Sequence, residues 1–248
     1  MNKIYVSGIN SSAKAHFLST YFTENNLNIL LAVADDDTDN LIQDIKTLLD
    51  NKDIQVLSFN QDNEQERIIT LSKISQNKKS IIISTPEALN VKVLSLNALK
   101  TNSLLLKTNA TFQHNLIMET LSKMGYTRVS FVEDKGQFSI RGEIIDIWPC
   151  DNEQPIRLSF DFDVIDTIKT FDYITQRSDK YMNEVTVLPL VNGEDTVFLT
   201  DVIPANSTIY FDKEPEIEYK NFNLIINSPL NKKTFITIIQ VFRDFRVI

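Results

Sequence analysis

The sequence is poor in the residues on which most catalytic and metal-binding sites depend. It has one cysteine, Cys150, and two histidines, His16 and His114, in 248 residues. One cysteine rules out a disulfide framework or a thiolate metal cluster, and two histidines supply little for histidine-based catalysis or zinc binding. We therefore expect no metal ion, no cofactor and no catalytic residue, and a reducing, cytoplasmic environment fits this cysteine content.

Long apolar runs and an excess of positive charge are also lacking. No apolar stretch approaches the roughly 20 residues that cross a membrane, and the start of the sequence, MNKIYVSG, has no apolar segment of the signal-peptide kind. The 25 Lys and Arg are outnumbered by 33 Asp and Glu, giving a net charge of −8. Because binding to nucleic acid requires clustered cations that neutralise phosphates, a DNA-binding module is disfavoured, and no membrane partner is expected.

The order of predicted elements indicates two kinds of domain. Up to about residue 108, short apolar strands such as NILLAVA and KSIIIST alternate with amphipathic helices, which is typical of an α/β domain with a mostly parallel sheet. Residues 109–191 read as one helix followed by antiparallel strands, an α+β domain inserted into the first. Residues 192–248 return to the first domain. They end in an apolar helical stripe, Phe235 to Phe245, from which we expect that the natural protein is longer.

The stretch VSGINSSAKAH resembles a phosphate-binding loop, G-x-x-x-x-G-K-[ST], but departs from it at two of the positions that bind. Gly8 and Lys14 match, whereas Ala13 replaces the second glycine and Ala15 replaces the hydroxyl residue that holds Mg²⁺. We therefore predict a degenerate, inactive loop at a helix N-terminus capped by Ser11 or Ser12. A weak anion site at this N-terminus is also compatible with the pattern.

Two arginines lie on the polar faces of predicted strands in the second domain. Strand alternation in QFSIRGEII and IRLSFDFD places Arg141 and Arg157 on the polar face of each strand. The apolar face of IRLSFDFD is expected to run from Ile156 to Phe162. Each arginine is compatible either with a partner-binding role or with an ordinary surface ion pair to a carboxylate such as Glu143 or Asp161.

The segments GYTRVSFVEDKGQFSIRGEIIDIWP and PIRLSFDFDVIDTIKTFDYITQRS resemble the second domain of UvrB and of the transcription-repair coupling factors (Mfd). The shared features are an RG segment, a [VIY]R segment and a TQRS ending, in fixed order and spacing over about 65 residues. The TQRS ending and the degenerate loop favour the coupling factors over UvrB. The resemblance implies a degenerate RecA-like first domain with a UvrA-docking domain inserted into it.

The resemblance also implies the partners and the site residues. UvrA, the damage-recognition ATPase, is the expected partner. RNA polymerase and DNA are expected to bind only through a downstream motor that lies outside these 248 residues. The matching positions of the docking arginines are Arg141 and Arg157, with Gly142 beside the first.

One departure from the family affects the docking site. Where the family has FFGD, this sequence has Phe160, Asp161, Phe162 and Asp163, so that Asp161 replaces the outward-facing aromatic residue. Asp161 therefore either weakens UvrA docking or re-specifies it. The leading hypothesis is a non-catalytic UvrA-docking module, and the alternative is a UvrB-like domain that retains nucleotide binding.

Overall fold

The computed structural model describes residues 3–35, 37–50, 52–191, 193–205 and 207–228. The chain divides into two compact units, the first formed by Met1–Lys92 with Val197–Ile248 and the second by Val93–Thr196. The borders expected from the sequence lie at 108/109 and 191/192.

The helices and strands are numbered in chain order, and a short 3₁₀ helix at Ala88–Asn90 lies between β4 and β5. The elements are β1 (Lys3–Val6), α1 (Ser11–Glu24), β2 (Ile29–Val33), α2 (Thr38–Leu48), β3 (Gln55–Phe59), α3 (Glu64–Ser75), β4 (Ser80–Ser84), β5 (Lys92–Leu94), α4 (Leu96–Asn102), β6 (Leu104–Lys107), α5 (His114–Lys123), β7 (Thr127–Arg128), β8 (Gln137–Arg141), β9 (Ile144–Ile147), β10 (Ile156–Asp161), β11 (Val164–Phe171), β12 (Ser178–Met182), β13 (Glu184–Val187), β14 (Thr196–Phe198), α6 (Leu199–Val202), β15 (Thr208–Phe211) and β16 (Asn223–Asn227).

The first unit is built on a six-stranded sheet in the order β1-β16-β15-β2-β4-β3, and every neighbouring pair is parallel. All residues of β2 and β4 are buried, as expected for central strands of a parallel sheet covered on both faces. Side chains of α1 and α2, including Leu18 and Ile45, pack against sheet residues such as Leu30 and Ile81. The predicted mixed α/β architecture with a parallel sheet is confirmed.

One detail of the first unit differs from the sequence-based expectations, and another is not tested. In the stretch PEALNVKVL, Pro86 is typical of the first position of a helix and predicts one there, but the stretch instead forms the 3₁₀ helix and β5. Its β-branched Val91 and Val93 favour extended backbone, which limits the helix to a single turn. The predicted helix from Phe235 to Phe245 lies outside the described residues.

The second unit contains a six-stranded sheet in the order β12-β11-β10-β9-β8-β7. Its pairs are antiparallel except for β7 with β8, and β6 separately pairs with β13. One face is buried, because alternate residues of its central strands are apolar. These include Phe138, Ile145, Ile147, Ile156, Leu158 and Ile168, each fully buried.

Two stretches that the alternation pattern presents as continuous strands are in fact hairpins. QFSIRGEII turns at Gly142 and Glu143, where Gly142 has φ +58°. Ile144 therefore pairs with Arg141 across the hairpin and lies on the same face of the sheet as Arg141. IRLSFDFD ends its strand at Asp161, and Phe162 lies in the β10–β11 turn with φ +53° and 86% exposure. The sequence-based placement of Phe162 on the apolar face is therefore wrong.

Positive φ at the first position of a two-residue turn matches the right-handed twist of the flanking strands, and a Cβ is strained there. Gly142 satisfies this demand at no steric cost, whereas Phe162 meets it with a side chain. Among the described residues, no helix is long and apolar enough to cross a membrane.

Candidate functional site

The polar face of the second unit's sheet is organised around one buried carboxylate, Asp146. This residue lies on β9 between Ile145 and Ile147, and 1% of its side chain is exposed. In the strand register it is directly opposite Ser139 on β8 and Arg157 on β10. A buried carboxylate is stable only when it is paired and hydrogen-bonded, so the residues that pair with Asp146 determine the charge of this face.

Arg157 forms a bidentate ion pair with Asp146 through two parallel hydrogen bonds. Its Nε donates to Oδ1 at 2.7 Å and its Nη2 donates to Oδ2 at 2.9 Å. The same guanidinium also donates to the carbonyl oxygen and the side-chain Oε1 of Gln176, and it lies 4.3 Å from the ring centroid of Phe171. With 15% of its side chain exposed, Arg157 is fixed in place by bidentate pairing and by stacking.

Arg141 reaches the same carboxylate but remains more accessible. Its Nη2 donates to Asp146 Oδ2 at 2.5 Å, and 36% of its side chain is exposed. The guanidinium lies 4.9 Å from the ring centroid of Phe131, itself 54% exposed. Two guanidinium groups therefore share one carboxylate, and this three-residue group retains a net positive charge.

A turn downstream supplies the remaining support for Arg157. Asp172 Oδ1 accepts hydrogen bonds from the Thr175 N–H at 2.6 Å, the Thr175 hydroxyl at 2.9 Å and the Ile174 N–H at 3.0 Å. The Thr175 N–H makes the largest contribution to lowering the pKa of Asp172 below its usual value. This turn presents Gln176, with φ +59°, to Arg157, which gives the QRS ending a structural role.

The four docking residues expected from the sequence are only partly brought together. Arg141 and Arg157 converge on Asp146, and Gly142 forms the turn that follows Arg141. Asp161 is exposed at the end of β10, and no ion pair joins it to Arg157 within the described part of the chain.

The ion pairs suggested from the sequence, with Glu143 or Asp161, are therefore wrong: both arginines pair with Asp146. Sequence reasoning overlooked Asp146 and Gln176. A carboxylate inside the apolar run EIIDIW was the available signal for Asp146, whereas the TQRS ending contains Gln176 but gives no indication that it contacts Arg157.

The degenerate phosphate loop forms hydrogen bonds between its own residues. Gly8 has φ +77°, and the cap of α1 is Asn10 rather than the expected Ser11 or Ser12. Asn10 Oδ1 accepts from the Ala13 N–H at 3.2 Å, and its carbonyl oxygen accepts from the Lys14 N–H at 2.9 Å. Two amides at this helix N-terminus, those of Ala13 and Lys14, are thus already engaged.

The lysine of this loop is also engaged. Lys14 Nζ donates to Asp212 Oδ2 at 2.5 Å, with 8% and 10% of the two side chains exposed. Asp212 also accepts from the Tyr210 hydroxyl at 3.0 Å and from the Asp35 N–H at 3.1 Å. Ala15 is buried in the core, 2% exposed.

A cleft of about 520 Å³ lies at the carboxyl ends of β2 and β15, the edge where open α/β sheets bind ligands. Its charged lining is mainly acidic, and Lys213 is paired with Asp35. The carboxylates are those of Asp35, Glu87, Asp212, Glu214 and Glu216. A lining of this kind is unfavourable for a phosphate group.

Cys150 does not provide a nucleophile. It is 2% exposed, and burial raises the pKa of its thiol to about 12, so the thiol is protonated at neutral pH. Among the described residues, no group of three or more His, Cys, Asp and Glu side chains is arranged to hold a metal ion.

Comparison with known proteins finds a family match within the second unit and relatives for most of the chain. Residues 104–192 match the family described as the UvrB interaction domain. The chain is 30% identical over 217 residues to a transcription-repair-coupling factor of Staphylococcus haemolyticus, and 30% identical over 234 residues to one of Staphylococcus aureus. These matches cover 81% and 86% of this chain but 18% and 19% of those relatives, so the chain spans about a fifth of their length.

Proposed function

We propose that this protein is a non-catalytic module that docks UvrA, because residues 104–192 match the UvrB interaction domain family and most of the chain resembles the N-terminal region of transcription-repair-coupling factors. The polar sheet face around Asp146 is the proposed docking surface. In this proposal, the two arginines meet carboxylates on UvrA.

The observation that carries the proposal is that two arginines share one carboxylate. A buried aspartate with a single cation is electrically satisfied, but Asp146 holds Arg141 and Arg157 together. The uncompensated positive charge is displayed through Arg141, whose guanidinium uses one of its five donors on Asp146. Such a preorganised cation suits bidentate recognition of an acidic protein surface.

We propose further that the first unit is a degenerate RecA-like domain with no nucleotide function. Its supports are the Ala13 and Ala15 replacements, the amides held by Asn10, and the Lys14–Asp212 pair. In this view Asp212 takes the place that a phosphate oxygen has in an active loop. Retained nucleotide binding, the alternative function, would require this pair to open.

The role of the whole protein follows as a proposal from its longer relatives. This segment would recruit nucleotide-excision repair by binding UvrA, while a motor outside these 248 residues would act on stalled RNA polymerase and DNA. Action on RNA polymerase and on DNA is not assigned to these 248 residues.

Parallel calorimetric titrations of the chain with UvrA, ATP·Mg²⁺ and a DNA duplex test the proposal. We expect saturable UvrA binding, no ATP affinity tighter than about 1 mM, and weak or no DNA binding. Micromolar ATP binding abolished by Lys14→Ala would support the alternative. Absence of UvrA binding would overturn the docking assignment.

A further inference from the structure

Position 161, at the end of β10, carries an exposed aspartate and so offers no aromatic contact. The second unit nevertheless exposes aromatic rings elsewhere, at Phe131, Phe162, Tyr173 and Tyr181. Large, rigid aromatic side chains are disproportionately strong contacts at interfaces, so the position of an exposed ring relative to the docking arginines matters.

Phe131 is the exposed ring that lies against a docking arginine. Arg141 Cζ is 4.9 Å from its centroid, and the ring remains 54% exposed. Tyr181 instead faces the Lys169 ammonium at 4.5 Å, and Tyr173 packs on Trp148 at 5.1 Å. Phe162 is at the tip of the β10–β11 turn.

Phe131 and Arg141 also line an open groove of about 560 Å³. Its other lining residues are Arg128, Val129, Ser130 and Ile140, so it combines two guanidinium groups with apolar surface and includes no carboxylate. Arg128 is exposed and donates to the Met118 sulfur, a weak acceptor, at 3.4 Å, and no ion pair of Arg128 occurs among the described residues. In a chain with a net charge of −8, this is a locally positive groove.

We propose that this groove binds an acidic segment of UvrA and that Phe131 is the aromatic anchor of the interface. The inference rests on the proposed docking function and adds the groove and its anchor to it. A carboxylate of the partner would bridge Arg128 and Arg141, while an apolar side chain of the same segment packs on the exposed face of Phe131. Stacking on Arg141 holds the ring in position before binding, which lowers the entropy cost of association.

The test compares two exposed phenylalanines in otherwise identical chains. Calorimetric titration of UvrA from the same genome against Phe131→Ala should show binding weakened roughly 10- to 50-fold, the range of an interface hot spot. Phe162→Ala, the matched control, should stay within about threefold of wild type. Phe131→Tyr, which keeps the ring, should bind like wild type, and thermal unfolding confirms that each variant is folded.

The outcomes separate the groove from the docking function. If Arg157→Ala abolishes UvrA binding while Phe131→Ala binds like wild type, the groove is wrong and the docking function stands. If wild type does not bind UvrA, both are wrong. A labelled single-stranded oligonucleotide that binds wild type, loses affinity with Phe131→Ala and competes with UvrA would overturn the assignment of an acidic protein segment.

Discussion

The two units each place an aspartate against a cation, and the difference lies in how many cations that aspartate holds. In the first unit, Asp212 and Lys14 neutralise each other, with 10% and 8% of their side chains exposed. In the second, Asp146 is 1% exposed and holds two arginines, of which Arg141 stays 36% exposed. One arrangement uses up the cation of a potential anion site, whereas the other displays a cation to a partner. The number of cations on each carboxylate thus separates a closed site from an open one.

Removal of Asp146 should have the largest effect, because it breaks the second arrangement at its centre. Asp146→Ala leaves Arg157 poorly exposed without its carboxylate, and we expect the free energy of unfolding to fall by about 3–5 kcal/mol. Urea denaturation measures this loss. The control Asp161→Ala, which changes an exposed aspartate at the end of the next strand, β10, should alter stability by less than about 0.5 kcal/mol. A loss under 1 kcal/mol for Asp146→Ala would mean that the pair network does not support the sheet.

The two arginines should separate by stability but not by binding. Arg141→Ala and Arg157→Ala should each weaken UvrA binding by about 2–4 kcal/mol, the usual loss when one partner of an interfacial charge pair is removed. Arg141→Ala should cost less than about 1 kcal/mol of stability, since its side chain is partly exposed. Arg157→Ala should cost more, because it also loses Gln176 and Phe171.

Calorimetry and urea unfolding on the same preparations check both effects. If both variants bind UvrA with wild-type affinity, the ion pairs on this face stabilise the fold and do not take part in docking.

The closed site of the first unit can be tested by removing its cation. Lys14→Met leaves the Asp212 carboxylate shielded from water with the Tyr210 hydroxyl and the Asp35 N–H as donors, so we expect a loss of about 2–3 kcal/mol. The double variant Lys14→Met/Asp212→Asn should recover most of this loss, because no uncompensated charge remains. Neither protein should bind ATP·Mg²⁺ in a titration. Equal stability of Lys14→Met and wild type would show that the pair is dispensable for folding.

The smallest effect is expected at Asp161, at the edge of the open site. Because Asp161 is exposed and makes no ion pair with Arg157 among the described residues, Asp161→Phe should cost little stability. It should tighten UvrA binding by about 1–2 kcal/mol by adding an aromatic contact. Asp163→Phe, a neighbouring exposed position in the turn, is the matched control. Weaker binding of Asp161→Phe alone would indicate a basic residue of UvrA facing Asp161.

Several features of the fold follow from neighbouring residues and were predictable. The buried runs of β2 and β4 and the helices between them identify a parallel sheet, and Gly125 ends α5 with φ +91°. The polar placement of Arg141 and Arg157 also follows from strand alternation. The hairpins at Gly142 and Phe162 were harder to predict. A turn of only two residues leaves the apolar–polar alternation along the sequence almost unchanged, so the two strands read as one.

The sequence by itself determined the two classes of domain, the polar strand positions of the arginines and the loss of the second glycine and the hydroxyl from the phosphate loop. These depend on residue type and on periodicity over a few positions. The tertiary structure alone decided which carboxylate each cation meets. Asp212 is 198 positions from Lys14, and Asp146 lies opposite Arg157 only through the β9–β10 register. Strand order and register are set by the packing of the whole sheet, so the charge balance of both sites is a property of the folded chain.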